Sequence, residues 1–253
     1  MEFHDWEPVY DAILADMEFD RAADERARDL LADLVSDGEP RGQDGAGSGA
    51  PASDAPGDSP SPLALADIDF RGETIAIAGA GPSLDADLDR IERADAVVAA
   101  SDAATRLREA GLAVDCMVTD LDEEGDVARE LTAEGTPVAV HAHGDNRSAL
   151  RERVPELAVA SVLPTTQAAP AGPVRNPGGF TDGDRAAFLA DHCGAAELVF
   201  AGWDFDDPDV DPLKARKLVW AERLLRWLEL RRGDRFAVLD GRRAGIDESA
   251  LPV

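Results

Sequence analysis

SDAATRLREAGLAVDCMVTDLD, residues 101–122, decides the fold. An apolar strand, Ala96–Ala100, leads into it and leaves Asp102 at the strand end. A helix follows over Ala103–Ala110, then a second apolar strand, Cys116–Thr119, that ends in Asp120-Leu121-Asp122. Short Val/Ala-rich strands joined through a helix are parallel strands buried on both faces. The alternation extends both ways. Upstream, TIAIAGAG (Thr74–Gly81) is a buried strand entering a glycine turn, and Leu84–Arg93 is helical. Downstream come helix Val127–Glu134, strand Pro137–His143, helix Arg147–Arg153, strand Ala158–Leu163, helix Asp182–His192, strand Glu197–Ala201, helix Pro212–Arg231 and a last strand, Arg235–Leu239. The expected architecture is α/β, one doubly wound, mostly parallel sheet over residues 63–253.

Two further segments precede it. Trp6, Val9, Tyr10, Ile13 and Met17, then Ala27, Leu30, Leu31 and Leu34, recur every three to four residues, which predicts two short helices over residues 1–36. Residues 37–62 are Gly, Pro, Ser and Asp with almost nothing to bury, the composition of a disordered linker.

The charge describes the solvent rather than a partner. The chain has 253 residues, 52 acids, 25 bases and a formal net charge of -27. Lys214 and Lys217 are its only lysines. Such a balance fits a halophilic cytosol, since at molar salt the Debye length falls to about 3 Å and self-repulsion is screened. No basic stripe exists to track nucleic-acid phosphates. No apolar run is long enough to span a membrane, and the acidic start has no signal core, so a cytoplasmic protein is expected. Cys116 and Cys193 are too few for a disulfide framework and read as reduced core residues. The oligomeric state is left open, a homodimer included.

The polar motifs fall where ligands bind in open parallel sheets, at the carboxyl ends of strands. GAGPSLD (79–85) follows the first strand, Asp102 the second, Asp120 and Asp122 the third, HAHGDN (141–146) the fourth and GWDFDD (202–207) the sixth. About one residue in five is acidic, so a single Asp at a loop start means little. It is the company of Gly and Asn that makes the set a site. Asp102, Asp120, Asp122 and Asp145 form a candidate acidic cage for Mg2+, which keeps waters and few carboxylates and so favours sharing with a polyphosphate. The turn Gly79–Ser83, with Gly81 and Pro82, offers backbone N–H groups to a phosphate, or is a plain strand-to-helix turn capped by Ser83. His141 and His143 lack partners for zinc. One of them is a hydrogen-bonding group or proton acceptor in the cleft. NPGGFTDGDRAAFLADH (176–192) starts a helix after Gly178 and Gly179, with Thr181 or Asp182 as cap, and sets Phe180 near a candidate heterocycle. Lys214 and Lys217 lie in the first turns of a helix, against its dipole, as expected if they meet an anion; a local salt bridge with Asp209 or Asp211 is the alternative.

Ser101-Asp102-Ala-Ala, a helix and Asp120-x-Asp122 resemble the Ala-Asp-Gly-Gly…Gly-Asp-Phe-Asp-Ser pattern of thiamin pyrophosphokinases. With GDN (144–146), NPGGFTDGDRA, AGWDF and KxxKLxWAExLLxWL, the whole set is similar to the archaeal 6-hydroxymethyl-7,8-dihydropterin diphosphokinases over about residues 1–36 and 63–240. That resemblance implies diphosphate transfer from ATP to a pterin alcohol with release of AMP, in tetrahydromethanopterin or folate synthesis. It implies Mg2+ on Asp102, Asp120, Asp122 and Asp145, these acids and His143 as catalytic groups, and nucleotide contacts from Gly79–Ser83, Ser101 and Asn146. The roles of Lys214 and Lys217 rest on the local argument above. Gly179, Phe180, Asp182, Trp203 and Asp204 are candidates for the pterin. Residues 37–62 depart from the family pattern as an insertion. Rival readings are a diphosphokinase for another alcohol such as thiamin, a nucleotide-sugar transferase using Asp-x-Asp, and a nucleotide-binding regulatory module without turnover.

Overall fold

Six strands of four or five residues build one sheet: β1 (Thr74–Ala78), β2 (Ala96–Ala100), β3 (Cys116–Thr119), β4 (Val138–Ala142), β5 (Val162–Thr166) and β6 (Glu197–Ala201). The computed structural model describes residues 1–36, 60–122 and 125–252. Every strand pair is parallel and the order is β5-β4-β3-β2-β1-β6. Residues 37–59 of the expected linker lie outside the described residues; Pro60 and Ser61 are exposed.

Alternate strand residues feed two separate cores. Ile75, Ile77, Val98, Cys116 and Val118 face one side; Ala76, Val97, Ala99, Met117 and Val140 face the other. The first side is covered by α1 (Phe3–Met17), α7 (Asp182–His192) and α8 (Pro212–Arg232). The second is covered by α2 (Arg21–Ser36), α3 (Leu88–Ile91), α4 (Asp102–Glu109), α5 (Gly125–Glu134) and α6 (Arg147–Arg153). Helices on both faces of a parallel sheet make it doubly wound. Both cysteines are buried and free.

The N-terminal helices belong to this body. Trp6 stacks near Trp227 (6.3 Å between centroids) and Tyr10 (6.4 Å), with Phe188 beside Trp227 at 5.8 Å. Trp6 and Trp227 are each 1% exposed, burial worth roughly 3 kcal/mol per ring. Since α1 joins one core and α2 the other, the turn at residues 18–20 passes between faces. Asp24 of α2 accepts the Gly144 N–H at 2.7 Å, which holds that turn at the carboxyl end of β4.

Three elements differ from the sequence reading. The strand expected over Ala158–Leu163 begins instead at Val162, after a 3-10 turn at Val159–Ser161, and runs through Pro164. Proline is tolerated there because β5 is the sheet edge. The helix expected over Leu84–Arg93 is a 3-10 turn, Pro82–Ala86, followed by the single turn α3. The last strand, Arg235–Leu239, does not form; Ala237–Leu239 is a 3-10 turn. The Phe236 N–H donates to the Glu229 carboxylate (2.6 Å) and its carbonyl accepts from Arg243 (2.7 Å), so neither group is left for β6.

Candidate active site

Each strand delivers its polar residue to the same rim. After β1 and β6 the chains stay paired beyond the strands: Gly79 N–H donates to Ala201 O and Gly81 N–H to Gly202 O, both at 2.9 Å. A Cβ on Gly79 would sit 2.6 Å from the Gly202 carbonyl, so only glycine permits this approach. Ser83 donates N–H (2.9 Å) and hydroxyl (2.7 Å) to Asp204, stapling the two turns together. These donors are thus spent within the protein, and the turn presents to the cleft only its surface at Gly79–Gly81.

Ser101, after β2, has φ 43°, a region costly for a side-chain-bearing residue. Its N–H is held by Val118 O at 2.8 Å and its hydroxyl donates to Asp182 at 2.5 Å. After β3, Leu121 is left-handed (φ 66°) and buried, and Asp120 accepts the Asp122 N–H at 3.2 Å. This fold-back brings together ligand atoms of Asp120, Asp122 and His143, all within 4.8 Å of one another. His143 Nε2 lies 3.3 Å from Asp120 Oδ2. Its Nδ1 accepts from Asp145 N–H at 3.4 Å, so the Nε2 proton faces Asp120. Asp102 and Asp145 are not members of this group: Asp102 is half-buried at the start of α4, and Asp145 is exposed.

The electrostatics separate the acids. Burial alone would raise the Asp120 carboxyl, but the hydrogen bond from His143, with the Arg185 charge beyond, holds it down at about 2. Burial and then the charge of Asp120 push Asp122 up, against His143 and Lys217. The same two causes, burial first, push Asp182 up, against Arg185 and Ser101. His141 is buried and driven well below the usual imidazole range by burial, then by Arg185 and His143; it stays neutral.

The rim is divided into two lobes. The larger, about 430 Å³, is lined by the Gly79–Gly81 turn, Ser101, Asp102, Asp122, Trp203, Asp204 and Phe205. The smaller, about 340 Å³, is lined by residues of the 18–20 turn and the start of α2 with His143, Asp145, Gln167, Phe180 and Arg185. Asp120, Thr181, Asp182, Lys214 and Lys217 line both. Asp211 caps α8 through the N–H groups of Leu213 (2.7 Å) and Lys214 (2.9 Å). Neither lysine forms an ion pair with a described carboxylate. Pro82, Ser83, Asn146 and Gly179 line neither lobe. Gly179 (φ 95°) instead lets the chain pass against Arg185, whose backbone N would lie 2.7 Å from a Cβ there. Thr181, not Asp182, caps α7, donating its hydroxyl to Asp184 at 2.6 Å.

Sequence reasoning missed a buried relay behind the smaller lobe. Tyr10 (2.7 Å) and Gln167 (2.7 Å) donate to Asp24; Arg185 donates to Gln167 (3.0 Å) and to Asp182 (2.9 Å). A signal existed. Asp24 occupies the apolar stripe of α2 with Ala27 and Leu31, where an acid is buried only if satisfied.

A family profile described as 6-hydroxymethylpterin diphosphokinase MptE-like matches residues 59–210. The chain is 38% identical over 251 residues to the 6-hydroxymethyl-7,8-dihydropterin pyrophosphokinase of Methanothermobacter thermautotrophicus, covering 92% of this chain and 97% of that one. Proteins of the same name from Pyrococcus furiosus (34%, 90% and 95% covered) and Methanocaldococcus jannaschii (30%, 90% and 96%) are also similar.

Proposed function

The chain belongs to the 6-hydroxymethylpterin diphosphokinase MptE-like family, and from that premise we propose that it transfers diphosphate from ATP to 6-hydroxymethyl-7,8-dihydropterin, releasing AMP. The product would serve tetrahydromethanopterin or folate synthesis. The observation that carries this reading is the wall between the lobes, which bears a paired carboxylate, Asp120, and the chain's only two lysines. Two substrates entering from either side meet there.

Asp120 and Asp122 fit a magnesium ion: two carboxylates, open on one side, leave positions for water and phosphate oxygens. When bound, the ion supplies positive charge against the polyphosphate. His143 holds Asp120 ionised and oriented, and Asp102 adds a carboxylate in the same lobe. Lys214 and Lys217 bind the triphosphate as mobile point charges. The pterin hydroxyl oxygen attacks the β-phosphorus, an O–P bond forms, and the bridging oxygen leaves with its electron pair on AMP. The hydroxyl proton passes to the Asp120–His143 pair. Such transfers demand little of the base, and most of the acceleration comes from positioning and charge.

The test is incubation with ATP, Mg2+ and the pterin alcohol at high salt, with nucleotide products identified by mass. AMP formed only with the pterin supports the reading. AMP formed only with another alcohol rejects the substrate, and a nucleoside diphosphate product rejects the reaction.

A further inference from the structure

The smaller lobe takes one wall from outside the region matched by the family profile. Glu18, Phe19 and Asp20 come from the turn between α1 and α2, and Asp24 from the first turn of α2, far upstream of residues 59–210. If phosphorus is transferred at the shared wall, nucleotide and alcohol must approach it from opposite lobes. The ion-binding carboxylates decide which goes where. Asp122, with Asp102, opens to the larger lobe and not to the smaller, so the ion and the triphosphate that it neutralises belong to the larger lobe. The larger lobe offers the rings of Trp203 and Phe205, 5.7 Å apart, to a nucleobase.

The smaller lobe is built for a flat, uncharged heterocycle with N–H donors. Phe19 and Phe180, 6.3 Å between centroids, give it an apolar wall. Behind them Arg185, 5% exposed, is fixed by Asp182 and Gln167, and its Nε has no partner. Resting on the functional reading above, we infer that this lobe receives the pterin ring. Phe19 contacts the ring face, and Glu18 and Asp20 of the same turn face its amino-pyrimidinone donors. The N-terminal helix pair is then a specificity element of the enzyme.

The experiment is steady-state kinetics on the full chain at high salt, with equilibrium dialysis of the pterin in the absence of nucleotide. Phe19→Ala is expected to raise the pterin KM and dissociation constant about tenfold, with the ATP KM within about twofold. Phe205→Ala is expected to do the reverse. Phe19→Leu keeps apolar volume without a ring face, and weakens pterin binding in the same direction should the alanine variant fold poorly. Turnover of the pterin by the unsubstituted chain with pterin constants unchanged in both Phe19 variants overturns this assignment and leaves the function standing. A shift in the ATP KM alone also overturns it. Absence of pterin turnover by the unsubstituted chain overturns the function and this assignment with it.

Discussion

Asn146 donates its side-chain N–H to the backbone carbonyl of Asp120 at 2.8 Å, across 26 residues of sequence. The same amide donates to the His141 carbonyl (2.7 Å), and its oxygen accepts the His143 N–H (3.0 Å). The side chain is 1% exposed and every contact is to backbone. It therefore ties the ends of β3 and β4 to each other and sets the distance between Asp120 and His143 without lining the cleft.

Asn146→Ala should lower kcat by about 10- to 100-fold, change both KM values less, and destabilise the fold by about 2–3 kcal/mol, since one buried and two partly buried backbone groups lose their partner. Parallel kinetics and denaturant titration check this. A variant with altered KM values and unchanged kcat would make Asn146 a ligand contact instead.

Asp120→Asn should reduce AMP release by about 1,000-fold or more and lower stability modestly at neutral pH. The loss has a specific origin: a carboxyl held down at about 2 by His143 and Arg185 stabilises the fold above its ordinary value, and relief of its charge on Asp122 and Asp182 offsets only part of that. Thermal unfolding compared with turnover checks both halves. Full turnover in this variant would remove the ion site from the mechanism.

Glu229 locks the C-terminal segment. It is 2% exposed and accepts from Arg226 (2.7 Å), Arg243 (3.0 Å) and Phe236 N–H (2.6 Å). Burial opposes its ionisation, but the Arg243 and Phe236 hydrogen bonds, with Arg226, hold it down at about 2. A depressed carboxyl stabilises above its unfolded value, near 4.5, and that stability is lost as pH falls through about 2. The amount is about 3 kcal/mol. Glu229→Gln should lose about 3–5 kcal/mol at neutral pH and show a shallower decline between pH 4.5 and 2 than the unsubstituted protein. Equal acid slopes would show that this cluster does not govern the transition.

The net charge of -27 should make stability depend on salt. The unfolding midpoint is expected to rise by about 10 °C or more between 0.05 and 2 M KCl as screening shortens the range of repulsion. A flat midpoint would mean that the ion pairs at the surface already offset the excess.

Much of the fold was legible because the strands are short, apolar and buried on both faces, a pattern that survives without context. β5 was misplaced because Pro164 reads as a stop, and only its edge position excuses it. The false last strand failed on Phe236, whose hydrogen bonds go to Glu229 and Arg243, charges that no local pattern links to it. Within the site, Asp120, Asp122 and His143 were legible from strand-end position. The Asp24–Gln167 contact spans 143 residues, and no periodicity reports such a pairing. Ser83 reads as a ligand contact because a sequence cannot show that its donors are already taken by Asp204.

Both lobes open to solvent and touch only along one wall. On the proposed assignment, filling one does not obstruct the door of the other. Traffic through the enzyme then has no fixed order: nucleotide and alcohol load in either sequence, and neither product waits for its companion to depart. Initial-rate lines should intersect, and AMP should compete with ATP and not with the pterin alcohol.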